Sequence, residues 1–414
     1  MLKSDNIYFI ILLLMVLATV ASAVFVQFMD EFIVMLMCMF VSLDIVVNGN
    51  WKKYKLLYLM VGIMLFYAGM SIYKYHFNTT KAVMYDFVLQ LKPLVPLAIC
   101  YVANPILNSK QKQIIRILCV TISIFAVLTY FLGLEIELLG HISIIGNTTF
   151  TLFVVYLYCS IDENGKVSYR RLATAFFIIA IGLACTRSKY YGEFAAVSFM
   201  LFFYKPGMFK ELKMSYILGF IVVLIIAFIV IYPKLEYYFL QNIGEEISSG
   251  EVLNMARPAL YYGMFMIFMD YPWFGTGLAS FAVYASSPSV NYSYLYQNYY
   301  LDKVWGLSEE MPDFICDSFF PELAQFGFVG LALFIFMFYW IYRRLKVVKR
   351  KGNKYGFIIG ALCIIFIMIE STTNSTFTKI YGETIMFLVG MIIAPTRNMT
   401  SEEIKTILKQ PITK

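Results

Sequence analysis

MARPALYYGMFMIFMDYPWFGTGLASF, residues 255–281, lies inside a mostly polar stretch, residues 233–318, that two long apolar segments (214–232 and 319–342) enclose. Apolar runs of this length match the roughly 30 Å of a bilayer's hydrocarbon core, so the polar stretch between them reads as a large loop on one side of a membrane. Everything else in the chain takes its place from that loop.

Composition agrees. Sixty per cent of the 414 residues are apolar and only 14% are charged, and the mean hydropathy is +0.72, outside the usual mix of a soluble globular domain. Working outward from the loop, apolar runs fall at residues 7–26, 31–47, 56–73, 82–102, 114–134, 148–161, 172–185, 192–204, 214–232, 319–342, 356–369 and 384–395. The expected architecture is an all-α polytopic membrane protein with about twelve transmembrane helices. Nine precede the loop within residues 1–232, three follow within 319–395, and residues 396–414 form a tail. The large loop is expected to contain short helices. Several runs are near fourteen residues, short enough to be tilted or re-entrant.

With the N-terminus inside and strict alternation, 24 of the 33 Lys and Arg residues fall on the inner side, eight on the outer side, and Lys92 lies within a span. That asymmetry is the positive-inside pattern. It predicts cytoplasmic termini and an outer loop. Residues 17–23 end in a small-x-small pattern that also marks cleavable signal peptides, but polytopic chains usually keep the first span. The basic run at residues 343–354 then belongs to a cytoplasmic loop, where its ordinary role is topological, and neither it nor the net charge of +7 argues for nucleic acid.

Seven cysteines are scattered, mostly within apolar runs, without CxxC or Cys/His spacing, so neither a zinc site nor a disulfide framework is expected. The chain has no Walker motif, no GxSxG and no HExxH, and no internal repeat is evident. An ATP-driven pump or a serine hydrolase finds no support.

On the outer side the loop carries ten acidic against three basic residues, a local charge of −7. Arg257 stands out in that field. A guanidinium grips phosphate oxygens with two parallel bonds; the plainer alternative is an ion pair with a neighbouring loop carboxylate. Arg187 and Lys189 form a second cationic pair between the seventh and eighth runs, either snorkelling to headgroups or converging with Arg257 on a diphosphate. Asp317 and Glu322, five residues apart at the edge of the tenth run, are candidates for a general base; the plainer alternative for Asp317 is a cap on the helix that follows. His76 and His141 lie in other outer loops and carry no assignment.

Three stretches together resemble the O-antigen ligase and polymerase family, the Wzy-type polymerases among them: Arg257-Pro-Ala-Leu-Tyr-Tyr262, Asp270-Tyr-Pro-Trp-Phe-Gly-Thr-Gly-Leu278 and Phe320-Pro-Glu-Leu-Ala-Gln-Phe-Gly-Phe-Val-Gly330, with an Arg-containing turn upstream at Thr186-Arg187-Ser188. The resemblance covers residues 172–330. It implies transfer of an oligosaccharide from undecaprenyl diphosphate to a sugar acceptor without nucleotide, cofactor or metal, at the outer face of a bacterial cytoplasmic membrane. A flippase and a chain-length regulator are the partners it suggests. By match of motif, Arg187 and Arg257 bind the donor diphosphate. Tyr261, Tyr262, Trp273 and the tyrosines of residues 292–300 are candidates to stack on sugar faces, although membrane-interface belts have the same composition.

Ligases of this family typically carry a His as presumed base about ten residues before Gly-x-x-Gly; here Cys316-Asp317-Ser318 stands there. That favours the polymerase, which joins lipid-linked repeat units. The alternatives are a ligase, which passes finished glycan to lipid A core or protein, and a transporter of the lipid-linked unit. For transport, the only obvious charges within a span are Asp86 and Lys92, the latter beside Pro93 where the helix is expected to break.

Overall fold

The computed structural model describes residues 4–24, 29–133, 143–185, 187–204 and 256–409. Within them all regular structure is helical. The expected span at 214–232, residues 233–255 of the loop, His141 and Thr186 lie outside the described residues.

The main helices are α1 (Ser4–Val24), α2 (Met29–Asn48), α3 (Lys55–Met70), α4 (Thr80–Leu91), α5 (Leu94–Ala103), α6 (Ser109–Phe131), α7 (Ser143–Ser160), α8 (Tyr169–Ile181), α9 (Ser188–Ser198), α10 (Ala256–Asp270), α11 (Gly327–Arg350), α12 (Lys354–Glu370), α13 (Ile380–Ile393) and α14 (Ser401–Lys409). Among the described residues three helical stretches are long and apolar enough to cross a bilayer: Asn50–Tyr75, Ser109–Phe131 and Phe319–Arg350. A fourth is obtained by counting α4 and α5 as one span bent by 41°. That is fewer than the twelve expected, because several apolar helices, such as Ile144–Ser160 and Ile380–Thr396, are shorter than a full span. The bend falls at Lys92 and Pro93, as a proline without an N–H inside a helix predicts. The chain is a multi-pass membrane protein. Leu59, Leu65, Ile117, Phe131, Ile335 and Phe336 are all more than half exposed on the three long stretches, which is the surface hydrocarbon covers.

The bundle centres on α13, every residue of which is buried. It packs most closely on α5, where a Cβ at Gly390 would lie 2.7 Å from the Leu97 carbonyl oxygen; a small residue there lets two backbones approach.

The large loop is more ordered than its polarity suggests. From residue 256 onward it builds a core of its own, with Leu260, Ile267, Phe281, Tyr296, Leu301 and Ile315 buried together. This core is sewn to the bundle. Phe328 N–H donates to the Pro272 carbonyl at 2.7 Å, Val329 N–H to Trp273 at 3.0 Å, and Gly277 N–H to Gln325 at 2.8 Å. Asn78 Nδ2 donates to the carbonyls of Ala279 and Asn291, at 2.7 and 2.9 Å, while Asp86 Oδ2 accepts from Ala279 N–H at 2.7 Å.

The two glycine-bearing motifs therefore meet in one seam, and the seam explains the glycines. Gly275 and Gly327 have φ of +65° and +61°. A Cβ at Gly327 would sit 2.4 Å from Gly275 N and 2.6 Å from the Trp273 oxygen. Strain at such a φ is about 1–3 kcal/mol, and the clash adds to it. Gly327→Ala is expected to lower the thermal midpoint of the purified protein clearly, by about 3 kcal/mol of stability in all. A melt in detergent identical to that of the unmodified protein would show that the seam yields.

Candidate functional site

Helix α10 opens with Ala256-Arg257-Pro258, and proline near the first helical position suits a start, where its missing N–H has no intrahelical partner. Arg257 Nε is in close contact with Asp317 Oδ2, and both side chains are partly exposed. One turn on, Tyr261 O–H donates to the Thr372 carbonyl at 2.8 Å. Burial pushes the Tyr261 phenol up to about 12, against the opposing pull of Arg257, so it holds its proton at neutral pH and stays a donor.

Thr372 belongs to the connection between α12 and α13, and residues 316–320 are bound to this connection along their length. Ser371 O accepts from the N–H groups of Phe319 and Phe320, both at 3.1 Å. Ser318 Oγ donates to Thr372 O at 3.2 Å, and Ser375 Oγ to Cys316 O at 2.7 Å. Burial raises the Cys316 thiol above its ordinary range. Asp317 is thus presented from a fixed strip. Ser318 takes the N-cap position of the following helix, without a side-chain cap bond, and the Asp317 carboxylate is engaged by Arg257 instead.

Lys189, of the second cationic pair, reaches the same connection. Lys189 Nζ lies 2.9 Å from Glu370 Oε2, and that carboxylate, 1% exposed, also accepts from Thr376 Oγ1 at 3.0 Å. Arg187 stands two residues before Lys189, at the N-cap of α9. Residues 370–376 therefore gather Lys189 through Glu370 and Arg257 with Tyr261 through Asp317 and Thr372.

The spacing of Asp317 and Glu322 suggests a shared cavity, but the structure gives them different surroundings. Glu322 is buried, accepts a short hydrogen bond from Gln90 Nε2 and lines a cavity of about 380 Å³; Asp317 is outside that lining. The intervening helical turn at Phe319–Glu322 carries one carboxylate inward and leaves the other on the surface strip. The Trp273 ring is 71% exposed, with only its backbone in the seam. In the tyrosine run, Tyr292 and Tyr296 are stacked 5.1 Å apart in the loop core and Tyr299 donates to Asp270; Tyr294 and Tyr300 remain exposed.

Sequence reasoning missed most of that cavity. Its polar walls come largely from Asp30, Glu31, Asp86, Gln90 and Lys92, in the N-terminal third. Lys92 Nζ lies 2.7 Å from Asp30 Oδ2, contacts Glu31 and stands 4.0 Å from Glu383 Oε1. The signal that could have found them is an ionisable side chain within or at the end of an apolar run. Beside the cavity, sharing Gln90 with it, runs an apolar groove of about 390 Å³ between α3 and α11. It extends from Tyr67 and Gly330 down to Leu56 and Trp340.

Residues 172–308 match the family model described as O-antigen ligase. The match takes in Arg187, Lys189, Arg257, Tyr261 and Trp273 and ends before Asp317 and Glu322. No curated protein matches the chain.

Proposed function

Starting from a chain that carries a domain of the O-antigen ligase/polymerase type over residues 172–308, we propose that it is a polymerase. It joins undecaprenyl-diphosphate-linked oligosaccharide repeat units into a surface polysaccharide at the outer face of a bacterial cytoplasmic membrane. In this reading both termini are cytoplasmic, a flippase supplies the substrate, and no metal or nucleotide takes part.

The observation that carries the reading is the Arg257–Asp317 pair, held beside the connection that also binds Lys189. In the resting arrangement the Arg257 guanidinium occupies an oxygen of the Asp317 carboxylate. A diphosphate offers Arg257 more oxygens and more charge than Asp317 does. Donor binding then exchanges the partner of Arg257 and frees Asp317. Asp317 takes the proton of the acceptor hydroxyl, whose oxygen attacks the anomeric carbon of the donor; the bond from that carbon to the phosphate oxygen breaks, and lipid diphosphate departs with the electron pair, its charge stabilised in this reading by Arg257, Arg187 and Lys189. The apolar groove between α3 and α11 suits the polyprenyl chain.

Asp317→Asn tests the exchange. Asparagine cannot accept the proton, so transfer in reconstituted vesicles is expected to fall by about 10²–10⁴-fold, with binding of undecaprenyl diphosphate kept or improved. Full transfer by the variant would move the base elsewhere, with Glu322 the next candidate.

Cys316-Asp317-Ser318, in the place where ligases of this type carry a histidine, favours the polymerase over a ligase. Glycan analysis of a deletion strain separates the two. Loss of a polymerase leaves acceptors bearing single repeat units, whereas loss of a ligase leaves long glycan on the lipid carrier.

A further inference from the structure

The cavity that holds Glu322 is not used by the donor as described above. Its lining is rich in polar and charged groups: carboxylates from α2, α4 and residue 322, the amide of Gln90, the ammonium groups of Lys92 and Lys379, and the rings of Tyr85 and Tyr284. Its volume of about 380 Å³ falls in the range of small-molecule sites, about 300–1,000 Å³.

Metal binding is a poor account of it, since among the described residues no group of three or more His, Cys, Asp or Glu side chains is placed to hold an ion. Lys92 neutralises part of the carboxylate charge. Glu31 Oε2 is buried without a hydrogen bond, so an acceptor is left over in a residue that lines the space. Tyr85 and Tyr284 have ring centroids 5.9 Å apart and planes tilted by 45°, an arrangement that leaves ring surface unpaired by flat stacking. Hydroxyl-accepting carboxylates, a donating ammonium and aromatic surface make up the chemistry that recognises a sugar: polar groups fix orientation and apolar rings cover C–H faces.

Position adds the second argument. Cys316 lines the cavity, and Asp317, the next residue, carries the side chain that pairs with Arg257. The strip at 316–318 therefore links the cavity, which Cys316 lines, to the Arg257 contact, which Asp317 makes. Resting on the proposed transfer reaction, we infer that this cavity is the acceptor subsite, which takes the terminal sugar of the acceptor oligosaccharide and brings its hydroxyl to Asp317. The N-terminal helices, which the family match does not reach, supply the recognition of that sugar.

The test compares two probes on the full-length protein in lipid nanodiscs. One is bare undecaprenyl diphosphate; the other is the free repeat-unit oligosaccharide, released from its lipid carrier by mild acid. Tyr284→Ala, at a ring 44% exposed, and Glu31→Gln are each expected to weaken oligosaccharide binding at least about tenfold and to leave undecaprenyl diphosphate binding within about twofold, as loss of a stacking ring or a charged hydrogen-bond acceptor in a sugar site implies. Arg257→Ala is expected to do the reverse. Oligosaccharide affinity unchanged in both cavity variants overturns the subsite, as does equal weakening of both probes. If the unmodified protein binds the oligosaccharide but no undecaprenyl diphosphate, the donor reading fails, and the acceptor subsite falls with it.

Discussion

Arg257→Ala is expected to abolish long-chain polysaccharide while the protein inserts at its normal level. The guanidinium lies at the start of α10, in contact with Asp317, and no other cation is described within the turn that Tyr261 anchors to Thr372. Removing one preorganised donor to developing charge lowers the rate by about 10²–10³-fold. Because Asp317 would be left without its cation, the drop is expected at the upper end of that range. Arg257→Lys should recover little, since an ammonium is a point charge and lacks the planar fork that matches two phosphate oxygens. Arg187→Ala is expected to lose chain length as well. The checks are polysaccharide length on gels and transfer of labelled repeat units in vesicles. Normal chain length in the Arg257→Ala strain, at normal expression, removes the diphosphate role.

Lys92→Met is expected to have the largest effect on stability. Lys92 is 3% exposed and faces Asp30, Glu31 and Glu383. Asp30 and Glu31 keep some access to solvent, but Glu383 is fully buried and neither of its carboxylate oxygens makes a hydrogen bond. Lys92 is the cation nearest to it. Breaking a buried pair by removing one partner costs about 3–5 kcal/mol, largely because the remaining charge is stranded. Adding Glu383→Gln removes a buried carboxyl that has lost its neighbouring cation, so the double variant should regain a measurable part of the loss. Thermal melting of both proteins in detergent decides it. A double variant no more stable than Lys92→Met would show that the cluster's worth lies with Asp30 and Glu31.

Some of this was legible in the chain and some was not, for physical reasons. Helical class follows from long apolar runs, and the break at Lys92-Pro93 follows from proline geometry. Arg257 and Lys189 could be singled out because cations are rare on the side that carries the loop. That Lys189 reaches Glu370 and Tyr261 reaches Thr372, on one connection, depends on contacts spanning more than a hundred residues. The glycines at 275 and 327 could be read as motif, while the reason for them, mutual contact across a seam, required the fold. The polar cavity was the hardest feature to see. Asp30 and Glu31 resemble an ordinary helix start and Glu383 stands just before an unremarkable apolar run, and only folding brings the first two together with Gln90 and with Glu322, more than two hundred residues further along the chain.

The groove between α3 and α11 bears on how the reaction is supplied. Leu59 and Phe336, which line it, are each 61% exposed, so it opens on the face that hydrocarbon covers. A carrier seated there arrives sideways, by diffusion in the plane of the bilayer. Substrate is then counted per area of membrane and not per volume of water, so enlarging vesicles with inert phospholipid at fixed total carrier should slow turnover, whereas diluting the whole suspension should leave it nearly unchanged.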